Sequence, residues 1–219
     1  MISAIVPAAG LSTRMGRQNK LLLPINGKTL IERTVDTLIA SEIDETIVVV
    51  GHQQEMIKAA LAGKDIVIIE NSNYEEGMAS SIRAGVAAAT PGAGALMICL
   101  ADQPLLEPGD LNRIIGAMDE ARAAGKSIVV PFFKGQRGNP VILDAMHREA
   151  MTDVVGDIGC KKIIKQRPDE VYVIEMETDH VVRDVDTIEE YRALYGVDSH
   201  FVASRLSFGC VTSPCQTTA

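Results

Sequence analysis

The feature that most constrains this chain is the alternation of short, β-branched apolar runs with longer segments of helical pattern. Several of these runs are apolar at every position, which is typical of parallel strands that are covered on both faces. Such an alternation folds through right-handed crossovers into an open sheet. The sequence therefore predicts an α/β protein with a three-layer, open, mostly parallel sheet. The predicted strands are Ile2–Val6, Thr46–Val50, Ile66–Ile69, Leu96–Leu100, Ile128–Val130 and Val171–Ile174.

Helix start and stop signals lie between the predicted strands. Thr29 followed by Glu32 forms a capping box at the start of one helix. Pro108 and Asp110 open another helix, which Gly125 closes. A third stretch is rich in alanine and ends at a Thr-Pro-Gly turn signal. The predicted helices are Thr29–Ala40, Leu111–Ala124 and Ala79–Ala89.

The chain is expected to form one domain followed by a tail. No internal repeat and no linker interrupts the sequence before Gly196. The segment 197–219 is rich in Ser and Thr and lacks any periodicity. We therefore expect a single domain over residues 1–196 and a tail over 197–219 that is flexible or docked on the domain.

Composition excludes several classes of function. The formal net charge is −8 and aromatic residues make up only 4% of the chain, so nucleic-acid binding is not expected. The longest apolar run, around Ala93 to Ala101, is too short to span a bilayer. The N-terminus carries no export signal, and we expect a cytoplasmic protein. Its four cysteines lack zinc-ligand spacing and are expected to be free thiols.

The loop after the first strand carries the strongest chemical signal. It reads P-A-A-G-L-S-T-R-M-G-R-Q-N-K over residues 7–20, and its small residues allow backbone N–H groups to approach a ligand. Arg14, Arg17 and Lys20 are cationic, and no acidic residue occurs before Glu32. The loop is a candidate polyphosphate cradle; an ordinary strand-to-helix loop with surface cations is the alternative. Its glycine spacing matches neither a P-loop nor a dinucleotide-binding motif.

Asp102 is a candidate ligand for a hard cation. It follows the apolar run over 96–100, so its carboxylate is expected at the mouth of a strand. Open α/β sheets bind their ligands at that edge. Mg²⁺ takes carboxylate oxygens together with phosphate oxygens and water. Position alone leaves a turn or capping aspartate as an equal alternative.

Further acidic residues lie near the end of the domain. Asp184 and Asp186 alternate in a short extended segment, so both are expected on one side of it. Asp186 is a candidate metal ligand or a helix cap, because Thr187 and Glu190 form a T-x-x-E box directly after it. Asp157, between two glycines, either contacts a substrate or metal or forms an Asx turn.

Six sequence blocks occur in an order that resembles the molybdenum cofactor nucleotidyltransferase family, and most closely its cytidylyltransferase-like branch. The resemblance covers residues 1 to about 195. It implies the nucleotide-diphospho-sugar transferase fold, which is Rossmann-like. The blocks are the first loop, N-S-N-Y-E-E-G-M-A-S-S-I-R-A-G at 71–85, L-A-D-Q-P at 100–104, G-Q-R-G-N-P-V-I at 135–142, V-G-D-I-G-C-K-K-I-I at 155–164 and V-D-T-I-E-E-Y at 185–191.

The resemblance also implies roles for individual residues. Lys20 would contact the α-phosphate of a nucleotide, and Arg14 the departing pyrophosphate. Asp102 and Asp186 would bind Mg²⁺. The remaining implied contacts are those of the first loop with the nucleotide, from Ala8, Ala9, Gly10 and Leu11, and those with base and ribose, from Asn71, Gly77, Met78 and Ser81.

The implied reaction is transfer of CMP from CTP to the phosphate of the molybdenum–pterin cofactor, with release of pyrophosphate. A molybdenum hydroxylase would then be the recipient of the product. One alternative is nucleotidyl transfer to a different acceptor, a sugar or polyol phosphate. Another is a chaperone that delivers the cofactor without any nucleotidyl transfer. A third is a relative of this fold that works as an oxidoreductase.

The residue at position 9 favours a pyrimidine nucleotide. Guanylyl-transferring relatives tend to read A-G-G in the first loop, whereas this chain reads Ala8-Ala9-Gly10. The extra methyl group of Ala9 occupies space beside the backbone and should disfavour the larger purine ring.

No Ser/His/Asp or Cys/His arrangement stands out in the sequence. A terminal phosphate acceptor needs none, because its second pKa is about 6 and it is already ionised.

Overall fold

Strands and helices alternate along most of the chain, and the computed structural model describes residues 1–11, 19–156 and 159–195. The strands are β1 Ile2–Ala8, β2 Pro24–Ile25, β3 Lys28–Thr29, β4 Glu45–Val50, β5 Val67–Glu70, β6 Ala95–Ile98, β7 Ile128–Phe133, β8 Gln136–Arg137, β9 Val141–Asp144 and β10 Val171–Glu175. The helices are α1 Leu30–Ile39, α2 Gln54–Ala60, α3 Met78–Ala88, α4 Pro108–Ala123, α5 Arg148–Thr152, α6 Lys161–Gln166 and α7 Ile188–Tyr195. The expected tail at 197–219 lies outside the described residues. Among the described residues, no helix is long and apolar enough to cross a membrane.

Eight strands form one mixed sheet in the order β10-β7-β9-β6-β1-β4-β5, with β8 paired to β7. Strands β6, β1, β4 and β5 are parallel, and β10 is parallel to β7. The predicted open, mostly parallel sheet is therefore confirmed, and each of the six predicted strands is present. The prediction omitted β9, which runs antiparallel to β6 and β7.

Two apolar cores lie on opposite faces of the sheet, each between the sheet and a set of helices. The sheet and the helices on its two sides are the three layers of the fold. Strand β1 supplies both cores, because successive side chains of a strand point to opposite faces. Ala4 and Val6 pack into the core beneath α1 and α4, whereas Ile5 packs into the core beneath α3. Burial on both faces explains why the β1 sequence is apolar at nearly every position.

The predicted helix signals operate as expected, with small differences in the helix ends. Thr29 Oγ1 accepts a hydrogen bond from Glu32 N at 3.3 Å, and Glu32 Oε2 accepts one from Thr29 N at 2.7 Å. This reciprocal capping box confirms the predicted start of α1. Helix α4 begins earlier than predicted, at Pro108, because Asp110 Oδ2 accepts a hydrogen bond from the N–H of Glu107 at 2.9 Å.

Two of the four cysteines lie in the described residues, and both are free and buried as expected. Burial raises the pKa of the Cys99 thiol and of the Cys160 thiol to about 12. Thiols with such a pKa are almost fully protonated at neutral pH and are therefore unreactive. Cys210 and Cys215 lie outside the described residues.

A pair of glycine substitutions tests how tightly α3 packs on the sheet. A Cβ atom added at Gly85 would lie 2.3 Å from Ile5 Cγ2, whereas one added at Gly116 in α4 meets no atom within 4 Å. Gly85→Ala should lower the free energy of unfolding by about 1–2 kcal/mol, because overpacking outweighs the gain in helix propensity. Gly116→Ala should raise it by about 0.5–1 kcal/mol. Urea unfolding measures both; equal stabilisation by the two changes would contradict the close packing.

Candidate active site

A cleft of about 590 Å³ opens at the carboxyl ends of β1 and β6. Parallel strands of an open α/β sheet present their ligand site at this edge. The walls of the cleft come from five separate parts of the chain: the first loop, the start of α3 with the turn before it, the segment after β6, the start of α6, and the segment before α7. The fold therefore brings most of the sequence-predicted site residues to one place.

Lys20 lies at the centre of an ion cluster in this cleft. Its Nζ atom is 2.5 Å from Asp102 Oδ2 and 2.9 Å from Asp186 Oδ1. Burial of the ammonium opposes its charge, but the nearby Asp102 and Asp186 carboxylates outweigh that effect and raise the pKa of Lys20. The side chains of Lys20 and Asp102 are only 18% and 16% exposed. Lys20 is thus a fully charged cation held between two carboxylates.

The backbone fixes Asp186 beside Asp102. Val185 N donates a hydrogen bond to Asp102 O at 2.9 Å, which ties the segment before α7 to the segment after β6. Glu190 Oε2 accepts from the N–H of Thr187 at 2.8 Å, and Thr187 Oγ1 accepts from Glu190 N at 3.2 Å. The T-x-x-E box therefore caps α7 without the carboxylate of Asp186, which remains directed at Lys20.

The carboxylates fit a hard divalent cation. Asp102 Oδ1 is buried and accepts no hydrogen bond from the described part of the chain. Such an atom is costly to bury unless a ligand compensates for it. Within the described residues no three His, Cys, Asp or Glu side chains group as a metal site. A pair of carboxylates is nevertheless a sufficient protein contribution for Mg²⁺, which commonly completes its shell with phosphate oxygens and water.

Asp184 adds a third carboxylate to the same wall of the cleft. Partial burial and the neighbouring Asp102 raise the pKa of Asp184. The carboxyl group is therefore held in a region where negative charge is already concentrated. Asp157, the other acidic residue considered from the sequence, lies outside the described residues.

The first loop enters the cleft at the end of β1. Ala8 and Ala9 are almost fully buried, whereas Gly10 and Leu11 are exposed at the mouth. Ala9 O accepts a hydrogen bond from His52 N at 3.3 Å. The Ala9 methyl group faces Gly51, where an added Cβ atom would lie only 2.8 Å away. The predicted contact residue Arg14 lies outside the described residues.

The start of α3 forms another wall. Gly77 precedes the helix with a φ of +95°, a conformation that L side chains rarely adopt, and Met78 and Ser81 follow it in the cleft. Asn71 lies behind this wall and is buried. Its Nδ2 donates to Ser80 Oγ at 2.8 Å and to Ser81 Oγ at 3.1 Å. Asn71 therefore supports the wall that the sequence assigned to base and ribose, and Ser81 belongs to its surface.

Three cleft residues with a polar or charged side chain were not singled out from the sequence, namely Tyr74, Glu75 and Lys161. Tyr74 and Glu75 belong to a short 3₁₀ turn before α3, and Lys161 begins α6. All three lie inside blocks that carried the family resemblance. The available signal was an aromatic residue or a charge next to a glycine turn, which is common in loops and therefore weak on its own.

The fold and the cleft define the class of this protein as a nucleotidyltransferase, an enzyme that works with nucleoside triphosphates. A more specific assignment comes from comparison with known proteins. Residues 4–171 match the family model described as the MobA-like NTP transferase domain, and the chain belongs to this family.

Individual relatives and solved structures are similar to nearly the whole chain. The chain is similar to nicotine blue oxidoreductase of Paenarthrobacter nicotinovorans, with 32% identity over 198 residues, 88% of this chain and 96% of that protein. Its fold is similar to Rv0371c of Mycobacterium tuberculosis, with a TM-score of 0.77, 26% identity and coverage of 90% and 98% of the two chains. A nucleotidyl transferase from Methanothermobacter has a TM-score of 0.74, 27% identity and coverage of 93% and 99%. Rv0371c has also been solved as a complex with manganese.

Proposed function

We propose that this nucleotidyltransferase transfers CMP from CTP to the terminal phosphate of the molybdenum–pterin cofactor and releases pyrophosphate. The observation that carries the proposal is the cluster of Lys20, Asp102 and Asp186 in a cleft bordered by the small-residue first loop. That cluster combines a cation for a phosphate with carboxylates for Mg²⁺. The ordered sequence blocks favour the molybdenum cofactor as the acceptor, and a molybdenum hydroxylase as the recipient of the product.

Each group has a distinct task in this reaction. Lys20 binds the α-phosphate and stabilises the negative charge that develops there during transfer. Arg14 binds the departing pyrophosphate, and the backbone of Ala8, Ala9, Gly10 and Leu11 holds the nucleotide. Asp102 and Asp186 hold Mg²⁺, which supplies charge stabilisation at the phosphate oxygens when it is bound. The wall of Gly77, Met78 and Ser81, supported by Asn71, borders base and ribose.

The reaction requires no protein nucleophile and no strong general base. A phosphate monoester has a second pKa of about 6, so the acceptor is mainly a dianion at neutral pH. The described residues that line the cleft include no histidine and no cysteine. Catalysis then rests on placing two anionic groups side by side and stabilising their charge, as in other phosphoryl and nucleotidyl transfers.

Three other functions are separated by direct experiments. The protein is incubated with Mg²⁺, each nucleoside triphosphate and purified molybdenum cofactor, and mass spectrometry identifies any dinucleotide formed. Product formed only with a sugar or polyol phosphate would assign a different acceptor. Cofactor binding without CTP turnover would favour a delivery chaperone. Binding of a nicotinamide nucleotide would favour a redox enzyme, the class that the name of the relative nicotine blue oxidoreductase gives for that protein.

Removal of the Lys20 ammonium should impair the chemical step. Lys20→Ala should lower kcat by about 10²-fold or more, because charge stabilisation in the transition state is lost. Pyrophosphate release measures the rate, and circular dichroism checks the fold. Lys28→Ala is the matched control, since Lys28 also pairs with an aspartate, Asp36, and neither residue lines the cleft. Near-normal turnover of a folded Lys20→Ala protein would remove Lys20 from the mechanism.

The carboxylates should make the reaction dependent on a divalent cation. Asp102→Asn should lower Mg²⁺-dependent transfer by at least about tenfold and weaken nucleotide binding, because a charged ligand is lost. Asp144→Asn is the control, since Asp144 pairs with Arg122 at 2.9 Å and lies beside the start of β6, at the end of the strands opposite the cleft. Transfer that continues unchanged in EDTA would contradict the metal role of both Asp102 and Asp186.

The third prediction concerns the choice of base. We expect CTP to be preferred over GTP by at least about tenfold in kcat/KM, because a steric mismatch in a pocket of this kind is worth about 1–3 kcal/mol. Ala9→Gly should narrow the difference, since it removes a methyl group beside the backbone of the first loop, in the wall of the cleft. Competition assays with equal CTP, GTP and ATP measure the preference. Equal use of GTP and CTP by the wild-type protein would replace the cytidylyl assignment with a guanylyl or promiscuous one.

A further inference from the structure

We propose that Gln103 is a positioning residue that holds the segment 181–186 in place, so that the carboxylate of Asp186 stays beside that of Asp102. The proposal rests on the metal site proposed above and assigns a task to a residue next to it. Gln103 directly follows Asp102 but lies outside the cleft. Its effect on the site is therefore exerted through the backbone of another segment.

The contacts of Gln103 connect two distant parts of the chain. Its side chain is buried, and its Nε2 atom donates a hydrogen bond to Val181 O at 2.8 Å. The two residues are 78 positions apart in the sequence. Since a carbonyl oxygen can only accept a hydrogen bond, the amide nitrogen of Gln103 is the group that must face it. Glutamine therefore satisfies a requirement that neither glutamate nor an apolar side chain of the same length can meet.

The backbone of the segment is fixed at both of its ends. Val181 O also accepts a hydrogen bond from Asn139 N at 2.9 Å, and Val185 N donates to Asp102 O at 2.9 Å. Val181 and Val185 are fully buried in the core. Asp102 and Gln103 thus each hold one end of the stretch that leads to Asp186. The distance between the two metal-binding carboxylates is set by this pair of adjacent residues.

Close packing makes the position of the Val181 carbonyl sensitive to its surroundings. A Cβ atom added at Gly138 would lie 2.7 Å from Val181 O. The carbonyl is therefore enclosed by Gly138, the N–H of Asn139 and the amide of Gln103. Loss of the Gln103 N–H would leave it with a single donor among the described contacts, and the segment could shift at the cost of about one hydrogen bond.

The test measures binding of Mn²⁺ alone to the full chain, by electron paramagnetic resonance of the free ion. The variants are Gln103→Met, which keeps the length of the side chain but removes the donor, Asp102→Asn, Asp186→Asn, and the double variant of Gln103→Met with Asp186→Asn. Ser127→Ala is the matched control, because Ser127 is also buried and donates a hydrogen bond to Glu170 Oε2 at 2.7 Å. Ser127 directly precedes β7, at the end of the strands opposite the cleft. All measurements are made well below the unfolding temperature of each variant.

We expect Gln103→Met to weaken Mn²⁺ binding by about tenfold, the lower end of the range for residues that orient metal ligands. Ser127→Ala should change it by less than about twofold. In the Asp186→Asn background the same Gln103→Met change should have almost no further effect, because the carboxylate through which Gln103 acts is already absent. Comparison of the four proteins is a double-mutant cycle, which measures the coupling between the two residues. A purely structural role would give the same effect in both backgrounds.

Three results would overturn the proposal, and they distinguish failure of the positioning role from failure of the metal site. If Asp102→Asn and Asp186→Asn weaken Mn²⁺ binding but Gln103→Met does not, the metal site stands and the positioning role falls. The same conclusion follows if the effect of Gln103→Met persists undiminished in the Asp186→Asn background. If neither aspartate substitution changes Mn²⁺ binding, the metal site and the role of Gln103 are overturned together.

Discussion

The contact on which the site depends is the ion cluster of Lys20 with Asp102 and Asp186. Placing charges in a region that is mostly shielded from water costs free energy, and a buried ion pair seldom contributes more stability than apolar residues of the same volume. The cluster is therefore better understood as a requirement of function. It places the ammonium of Lys20 within 3 Å of two carboxylates. In the proposed function, the ammonium binds phosphate and the carboxylates bind a metal ion.

The sheet makes this cluster possible because it brings together residues that are far apart in sequence. Lys20 is separated by 82 residues from Asp102 and by 166 residues from Asp186. The parallel pairing of β1 with β6 places the first loop next to the segment that carries Asp102. Hydrogen bonds from Gln103 to Val181 and from Val185 to Asp102 connect the segment before α7, which carries Asp186, to the segment after β6.

Much of the fold follows from local sequence. The strands near the centre of the sheet are predicted by unbroken apolar runs, because burial on both faces demands them. The start of α1 is predicted by its capping box, and the T-x-x-E box at Thr187 and Glu190 lies at the start of α7; each box satisfies backbone donors within four residues. Helix α2 escaped prediction because it is only seven residues long and follows Gln53, which has a φ of +52° and provides no side-chain cap.

The sequence by itself determined the class of the fold and singled out the candidate residues of the first loop and the candidate carboxylates, because each of these is encoded in residue types at short spacing. Only the tertiary structure decided the antiparallel direction of β9, since three apolar residues and an aspartate carry no information about the direction of a strand that pairs with β6 and β7. The same is true of the support that Asn71 gives to Ser81 and of the contact between Gln103 and Val181. These contacts depend on which segments meet across the folded chain, and no local pattern specifies that.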